Sequence, residues 1–283
     1  MRIRIDVAYD GGQFHGWAAQ PRLRTVQGVL EAALATVLRV SEVRVVCAGR
    51  TDTGVHARGQ VTHVDVEPAV LAQAAGRSPQ APVEALVGRL NGVLPADLRV
   101  RRAAEVPAEF DARFSALWRR YAYRIADAPE YVDPLARGHV TRWPRRLDLG
   151  AMNAAAIDLV GLHDYASFCK AREGATTIRT VHELHWDRDP TGVAVGTVIA
   201  DAFCHSMVRA LVGCLVAIGE GRRDVSWARA VLEQGARGSG VAVAPATGLT
   251  LEEVGYPPDS ELGARLLVTR AKRTSTEPES HDE

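Results

Sequence analysis

The sequence predicts an α+β protein made of two successive sets of strands and helices, one before about residue 111 and one after it. Segments with the two-residue alternation of a half-buried strand and segments with helical spacing occur in both sets. Their order is mixed and does not repeat as strand–helix–strand, which argues against a parallel doubly wound sheet. With 283 residues, 47% hydrophobic and 24% charged, the chain is long enough for two cores of ordinary globular composition.

The first set opens with a strand, because residues 2–9 alternate apolar and polar side chains. Thr25 is then a candidate N-cap for a helix whose apolar residues recur every three or four positions as far as Val37. The elements predicted next are a strand over 43–48, a polar loop over 49–59, a strand over 60–66, a loop or insertion over 68–82 and a short helix over 84–90.

The second set is predicted to contain strands over 118–125, 181–187 and 192–200 and helices over 152–160 and 203–218. The predicted organisation is an N-terminal half over 1–110 that carries the polar loop, a C-terminal half over 111–272 and a disordered tail over 273–283. The last ten residues contain four acidic residues and no lysine or arginine.

Composition and patterning exclude several classes of protein. No uncharged apolar stretch approaches the ~20 residues of a membrane span, and the first residues alternate charged and apolar side chains, unlike a signal peptide. The four cysteines form no Cys-x-x-Cys pair, so we expect reduced thiols in a cytoplasmic protein. All but two of the 34 basic residues are arginine, which suits phosphate binding and base stacking, although a GC-rich genome gives the same bias.

The densest polar cluster is the loop over residues 49–59. It places the carboxylate of Asp52 and the imidazole of His56 between the guanidinium groups of Arg50 and Arg58, with glycines at both ends and in the middle. Polar loops on rigid scaffolds often carry function. The alternative is an Asx-turn in which Asp52 bonds its own backbone and the arginines are solvated.

One arginine, Arg209, interrupts the apolar helix predicted over 203–218. A buried guanidinium without a partner costs several kcal/mol, so a buried Arg209 requires a buried carboxylate. Asp52 is the best candidate in the sequence, and such a pair would keep Asp52 ionised and oriented. In the alternative interpretation Arg209 reaches solvent along a polar stripe with His205 and Ser206.

Arginines are interleaved with aromatic residues near the start of the second set. On the predicted strand, Tyr121 and Tyr123 point to one face and Arg120 and Arg124 to the other. Aromatic and guanidinium groups side by side suit base stacking and phosphate contact. An ordinary core strand would contain the same aromatic residues.

Two further segments resemble known functional motifs but do not match them in spacing or in number of copies. The two histidines of His182-Glu183-Leu184-His185 are three positions apart, whereas a zinc helix needs four, so we predict no metal site. Asp52-Thr53-Gly54 matches the triplet of aspartic proteases, but those enzymes need two carboxylates in one site and the triplet occurs once. An aspartic hydrolase therefore stays a distant alternative.

Four blocks of residues stand out together along the chain. They are Tyr9-Asp10-Gly11 with Gly16-Trp17, the run from Cys47 to His56, the run from Phe110 to Tyr123, and the run from Phe203 to Arg209. In these blocks and in their order the chain resembles the tRNA pseudouridine synthase A family, over roughly residues 1–270. The resemblance implies two ferredoxin-like halves whose antiparallel sheets meet at a central catalytic cleft, in a homodimeric enzyme without cofactor or metal.

The resemblance also implies a reaction, the isomerisation of uridine to pseudouridine at positions 38, 39 and 40 in the anticodon stem-loop of tRNA. Asp52 is then the essential carboxylate and Arg209 its ion-pair partner. Arg50 lies beside the flipped nucleotide, where it is suited to fill the gap left in the stack. Tyr121 packs on the target base, and His56 and Arg58 complete the predicted substrate-binding residues.

The implied chemistry needs neither a metal nor a redox cofactor, because one ionised carboxylate can carry it. Asp52 can attack C1′ of the sugar, attack C6 of the base or remove a proton from the sugar, and all three routes stay open. The alternative function is a non-catalytic RNA-binding protein of the same fold. The presence of Asp52, Tyr121 and Arg209 argues against it, because a pure binder needs no ionised aspartate in its cleft.

Overall fold

The computed structural model describes residues 1–170, 176–236 and 240–269 of the chain. Within these ranges the chain forms two compact units. Unit 1 comprises Met1–Arg119 and Ala246–Thr269, and unit 2 comprises Arg120–Pro245. The predicted boundary after residue 110 lies before this division, and the chain from Ala246 joins unit 1, not the C-terminal half. The acidic tail predicted over 273–283 lies outside the described residues.

Unit 1 begins with an alternation of strands and helices. Its strands pair antiparallel in the order β4–β1–β3, and β2 pairs with β3. This is the arrangement of a ferredoxin-like unit, as the resemblance implied. The elements are β1 (Arg2–Tyr9), α1 (Val26–Leu38), β2 (Val46–Cys47), β3 (His56–Asp65), α2 (Pro68–Ala75), α3 (Pro82–Val93) and β4 (Leu98–Val106).

The strand and helix predicted first are confirmed in unit 1. Alternate residues of β1 are buried along its whole length. The side chain of Thr25 accepts a hydrogen bond from the Gly28 N–H at 3.3 Å, so Thr25 caps α1 as predicted. The strand predicted over 43–48 is shorter, because the Val45 N–H donates to Oε1 of Glu31 at 3.0 Å and not to a neighbouring strand.

Two further predictions in unit 1 are corrected. The polar loop ends at Val55, because β3 already begins at His56 and its Ala57 pairs with Tyr9 of β1. The segment over 68–82, predicted as a loop or insertion, contains α2. Pro68 occupies the first turn of that helix, where no N–H is needed, and the helix buries Leu71, Ala74 and Ala75.

Unit 2 repeats the mixture of strands and helices. Its sheet has the strand order β5–β9–β8–β7, with β8 antiparallel to both β7 and β9, while β6 runs parallel to β5. All three predicted strands are present with shifted ends. The elements are β5 (Trp118–Ala126), whose first two residues belong to unit 1, β6 (Thr141–Arg142), α4 (Leu149–Ala156), β7 (Gly161–Asp164), β8 (Ile178–Arg188), β9 (Ala194–Ala200), α5 (Met207–Gly219) and α6 (Trp227–Glu233).

Helix α5 forms the centre of the unit 2 core, and nearly all of its side chains are buried. It begins at Met207, later than the predicted start at residue 203. The reason is Ser206, which has a φ of 63° in the left-handed region and so cannot continue a right-handed helix. Arg209 therefore lies in the first turn of α5.

The chain returns to unit 1 with β10 (Leu249–Gly255) and α7 (Leu262–Thr269). Strand β10 pairs in parallel with the start of β3. The prediction of antiparallel sheets is therefore corrected in two places, at this pair and at β5 with β6. Among the helices that the structure describes, none is long and apolar enough to serve as a membrane span.

The four cysteines fall into one neighbouring pair and two separate residues. The Cα atoms of Cys169 and Cys204 lie 5.7 Å apart, a spacing at which a disulfide bond can form. Cys47 and Cys214 remain buried thiols. Burial raises the pKa of Cys47 to about 12, against the opposing charges of Arg50 and Arg113, so this thiol stays protonated at neutral pH and does not supply a nucleophile.

Candidate active site

The predicted polar cluster is divided between a loop and a strand of unit 1. Residues 48–55, which we call the Asp52 loop, connect β2 to β3 and carry Arg50 and Asp52, whereas His56 and Arg58 lie on β3. Arg50 is exposed, Asp52 is half-buried and His56 is buried. Unit 1 thus brings together four of the six predicted site residues.

Backbone hydrogen bonds hold the Asp52 loop on both sides of the carboxylate. The Trp17 N–H donates to the Thr51 carbonyl at 3.0 Å, and the Gly54 N–H donates to the Phe14 carbonyl at 3.3 Å. Both partners belong to the segment that follows β1. Because these bonds are made by the main chain, they fix the path of the loop independently of the side chain at position 52.

Two glycines of that segment touch the Asp52 loop where no side chain would fit. A Cβ atom on Gly11 would overlap the carbonyl oxygen of Val55. Gly16 has a φ of 85°, and a Cβ atom there would lie 3.0 Å from the Thr51 carbonyl oxygen. The sequence block around Tyr9 and Trp17 is therefore the support of the loop, a role that sequence reasoning did not assign to it.

His56 is engaged within the protein. The Gly11 N–H donates to Nδ1 of His56 at 3.0 Å, and Oδ1 of Asp10 lies 3.0 Å from the same nitrogen. Since a backbone N–H can only donate, Nδ1 is the acceptor of that bond, and Oδ1 of Asp10 accepts from the Gly12 N–H at 2.9 Å. His56 thus helps to hold the segment that supports the loop, in addition to the substrate contact predicted for it.

Arg58 lies on the solvent side of β3. Its side chain is 56% exposed and lies 3.8 Å from the carboxylate of Glu252 on β10. Such exposed pairs contribute about 0–1 kcal/mol, so little free energy opposes exchange of this partner for a phosphate group. This geometry suits the substrate-binding role predicted for Arg58.

Unit 2 holds the other two predicted site residues. Tyr121 on β5 is buried, and its ring meets that of Phe203 edge to face, with centroids 5.1 Å apart. The packing fixes the plane of the Tyr121 ring. Arg209 is half-buried, and its Nε donates to the Ala244 carbonyl at 2.7 Å, while the Ala244 N–H donates back to the Arg209 carbonyl.

Tyr123, on the same strand as Tyr121, is excluded as a base. Burial raises the pKa of Tyr123 to about 12, although its hydrogen bond to Thr141 and the charge of Arg209 act in the opposite direction. The hydroxyl donates to the Pro245 carbonyl at 2.8 Å. Across the described ranges, no group of three or more His, Cys, Asp or Glu residues is placed to hold a metal ion.

Comparison with known proteins matches almost the whole chain to proteins of the family that the sequence resembles. The family description "tRNA pseudouridine synthase" matches residues 6–115 and 155–257. A protein named tRNA pseudouridine synthase A from Frankia casuarinae is 55% identical over 278 residues, which cover 98% of this chain and 97% of that protein. Its counterpart from Streptomyces griseus is 56% identical over 276 residues, with 97% and 94% covered, and that from Mycobacterium leprae is 49% identical over 278 residues, with 97% and 96% covered.

A match of this extent, on an α+β fold with two strand–helix sets, defines an isomerase that acts on uridine in tRNA. The chain belongs to the tRNA pseudouridine synthase family.

Proposed function

We propose that this protein converts uridine to pseudouridine at positions 38, 39 and 40 in the anticodon stem-loop of tRNAs, with Asp52 as the essential carboxylate. The observation that carries the proposal is the placement of Asp52 on a loop fixed by main-chain hydrogen bonds, in a chain that matches tRNA pseudouridine synthase A proteins over nearly its full length. A fixed loop matters because a displacement of about 1 Å costs about a hundredfold in rate.

The reaction breaks the bond between N1 of uracil and C1′ of the sugar, turns the base and forms a bond between C5 and C1′. The hydrogen on C5 leaves as a proton, and N1 gains one, so no oxidant or reductant is consumed. Asp52 supports this exchange by attack at C1′, by attack at C6 or by removal of a sugar proton.

The remaining predicted residues have separate roles in this proposal. Tyr121, whose ring plane is fixed by Phe203, holds the base while it turns. Arg50, which is exposed, enters the stack when the nucleotide is extruded. Arg58 contacts a phosphate. His56 contributes to substrate binding while its Nδ1 accepts a hydrogen bond from the Gly11 N–H.

We further propose that Arg209 is the ion-pair partner of Asp52, as predicted from the sequence. Support comes from the environment of Arg209 in unit 2. Its Nε is held by the Ala244 carbonyl, which orients the planar guanidinium, and an oriented guanidinium suits bidentate pairing with a carboxylate.

The test of the function is release of tritium from tRNA labelled at uridine C5, with substrates that carry uridine at only one of the three positions. We expect release from each of the three substrates, because formation of the C5–C1′ bond must expel that hydrogen. Release from tRNA labelled elsewhere, but not from these positions, would contradict the proposed position. Binding of tRNA without any release would favour the non-catalytic RNA-binding protein.

We also propose that the enzyme is a homodimer that acts in the cytoplasm. Support for both comes from the resemblance to the tRNA pseudouridine synthase A family, which extends over nearly the whole chain. Light scattering is expected to give twice the 30.5 kDa of one chain. A mass of one chain at micromolar concentration would contradict the dimer.

A further inference from the structure

A chain of buried hydrogen bonds runs behind the Asp52 loop. The hydroxyl of Tyr9 on β1 lies 2.8 Å from Oγ1 of Thr51, the residue that precedes Asp52. The amide Nε2 of Gln60 on β3 donates to the Gly49 carbonyl at 2.7 Å and to the Tyr9 hydroxyl at 3.4 Å. Tyr9, Thr51 and Gln60 are 5%, 7% and 0% exposed, so the two hydroxyls and Nε2 of Gln60 bond within the protein and not to bulk water.

The direction of the two bonds made by Gln60 follows from the chemistry of the groups. The Gly49 carbonyl can only accept, so the nitrogen of the Gln60 amide must face it, and this fixes the orientation of the amide. The same nitrogen then donates to the phenol oxygen of Tyr9. In the bond between Tyr9 and Thr51 either hydroxyl can be the donor.

This chain acts on the part of the loop that carries Asp52. Thr51 is held twice, by Tyr9 at its side chain and by the Trp17 N–H at its carbonyl. Gly49 is held by Gln60. Two of the three residues before Asp52 are therefore attached to β1, to β3 and to the segment after β1, and the position of the carboxylate depends on these attachments.

We propose that the Tyr9 hydroxyl is a positioning group for the reaction, which acts through Thr51 to hold Asp52 at its working position. The proposal rests on the proposed function of Asp52. Tyr9 is 5% exposed, so we expect no contact between its side chain and the substrate. Loss of its hydroxyl is therefore expected to slow the reaction and to leave tRNA binding unchanged.

The test compares Tyr9→Phe with the wild-type enzyme in the tritium-release assay. We expect kcat to fall by about tenfold to a hundredfold, because misplaced catalytic groups lose rate by such factors, while KM and the Kd for tRNA stay within a factor of about two. Thr51→Val, which removes the other hydroxyl of the bond, should give a similar loss. Thr51→Ser keeps a hydroxyl and should restore most of the rate.

Tyr165→Phe is the matched control. Tyr165 belongs to unit 2 and is also buried, and its hydroxyl donates to the Leu159 carbonyl at 2.9 Å and to the Gly161 carbonyl at 3.1 Å. This variant loses a buried phenol hydrogen bond of the same kind and should show a similar shift of Tm but keep its kcat. An equal loss of kcat in Tyr165→Phe would assign the effect to general stability and overturn the proposal.

The double variant Tyr9→Phe with Thr51→Val separates a shared bond from two independent effects. If the two hydroxyls act through one bond, the double variant should be about as slow as either single variant. Losses that multiply, or a Tyr9→Phe enzyme as fast as wild type, would overturn the positioning role. Failure of the proposed function is distinguishable, because the wild-type enzyme itself would then release no tritium.

Discussion

Asp52→Asn is expected to abolish pseudouridine formation while tRNA binding persists. The amide has nearly the size and shape of the carboxylate, so the loop, which is held by main-chain bonds at Thr51 and Gly54, should keep its path. The amide carries no charge and is neither a nucleophile nor a base. A loss of about a thousandfold or more in rate is expected for removal of such a group.

The measurement pairs tritium release with a direct tRNA binding assay on the same preparation. Asp65→Asn is the matched control, because Asp65 is a carboxylate of the same unit whose side chain is 65% exposed and pairs with Arg2. That variant should keep its activity. Pseudouridine formation by Asp52→Asn at an undiminished rate would remove Asp52 from the mechanism. Joint loss of activity and binding would indicate that the substitution disturbs the RNA surface.

The parts of the fold that sequence analysis predicted correctly are those determined by local patterns. Strand β1 alternates buried and partly exposed residues along its length, and the Thr25 cap is read directly from the side chain that makes it. Helix α2 was missed because its segment is rich in Ala, Pro, Gly and Ser. What makes that segment a helix is the burial of Leu71 and its neighbours, which depends on tertiary packing and not on propensity.

In the candidate site, too, only the features set by local sequence could be predicted. The polar residues of the Asp52 loop are close together in the sequence, so their clustering was visible. The hydrogen bonds that support the loop could not be predicted from the sequence, because Tyr9 and Thr51 are 42 positions apart and meet only in the folded chain. Sequence analysis also did not predict the contact of Arg119. The pattern of β5 indicated Arg120 and Arg124 as candidate phosphate-binding residues, whereas Arg119 is buried and donates to the Ala48 carbonyl at 2.9 Å.

Arg209→Met is expected to lower both activity and stability. Methionine preserves much of the apolar stem in the first turn of α5, but it removes the Nε that donates to the Ala244 carbonyl. Because Ala244 is 5% exposed, that carbonyl loses a partner that water replaces poorly, at a cost of about 1–3 kcal/mol in the free energy of unfolding. The loss of activity should be larger than the loss of stability explains, if the predicted pairing with Asp52 is correct.

A double-mutant cycle tests that pairing without relying on activity. The free energies of unfolding of Asp52→Asn, Arg209→Met and the double variant are measured by denaturant titration. If the two side chains form an ion pair, the double variant should be more stable than the sum of the single losses implies, by about 1 kcal/mol or more. Arg229→Met, at an exposed surface pair with Glu233, is the control and should change neither stability nor rate. Additive losses in the cycle would refute the ion pair and leave Arg209 as a residue that only anchors the Ala244 segment. A coupling energy would instead show that the Arg209 guanidinium interacts with the Asp52 carboxylate.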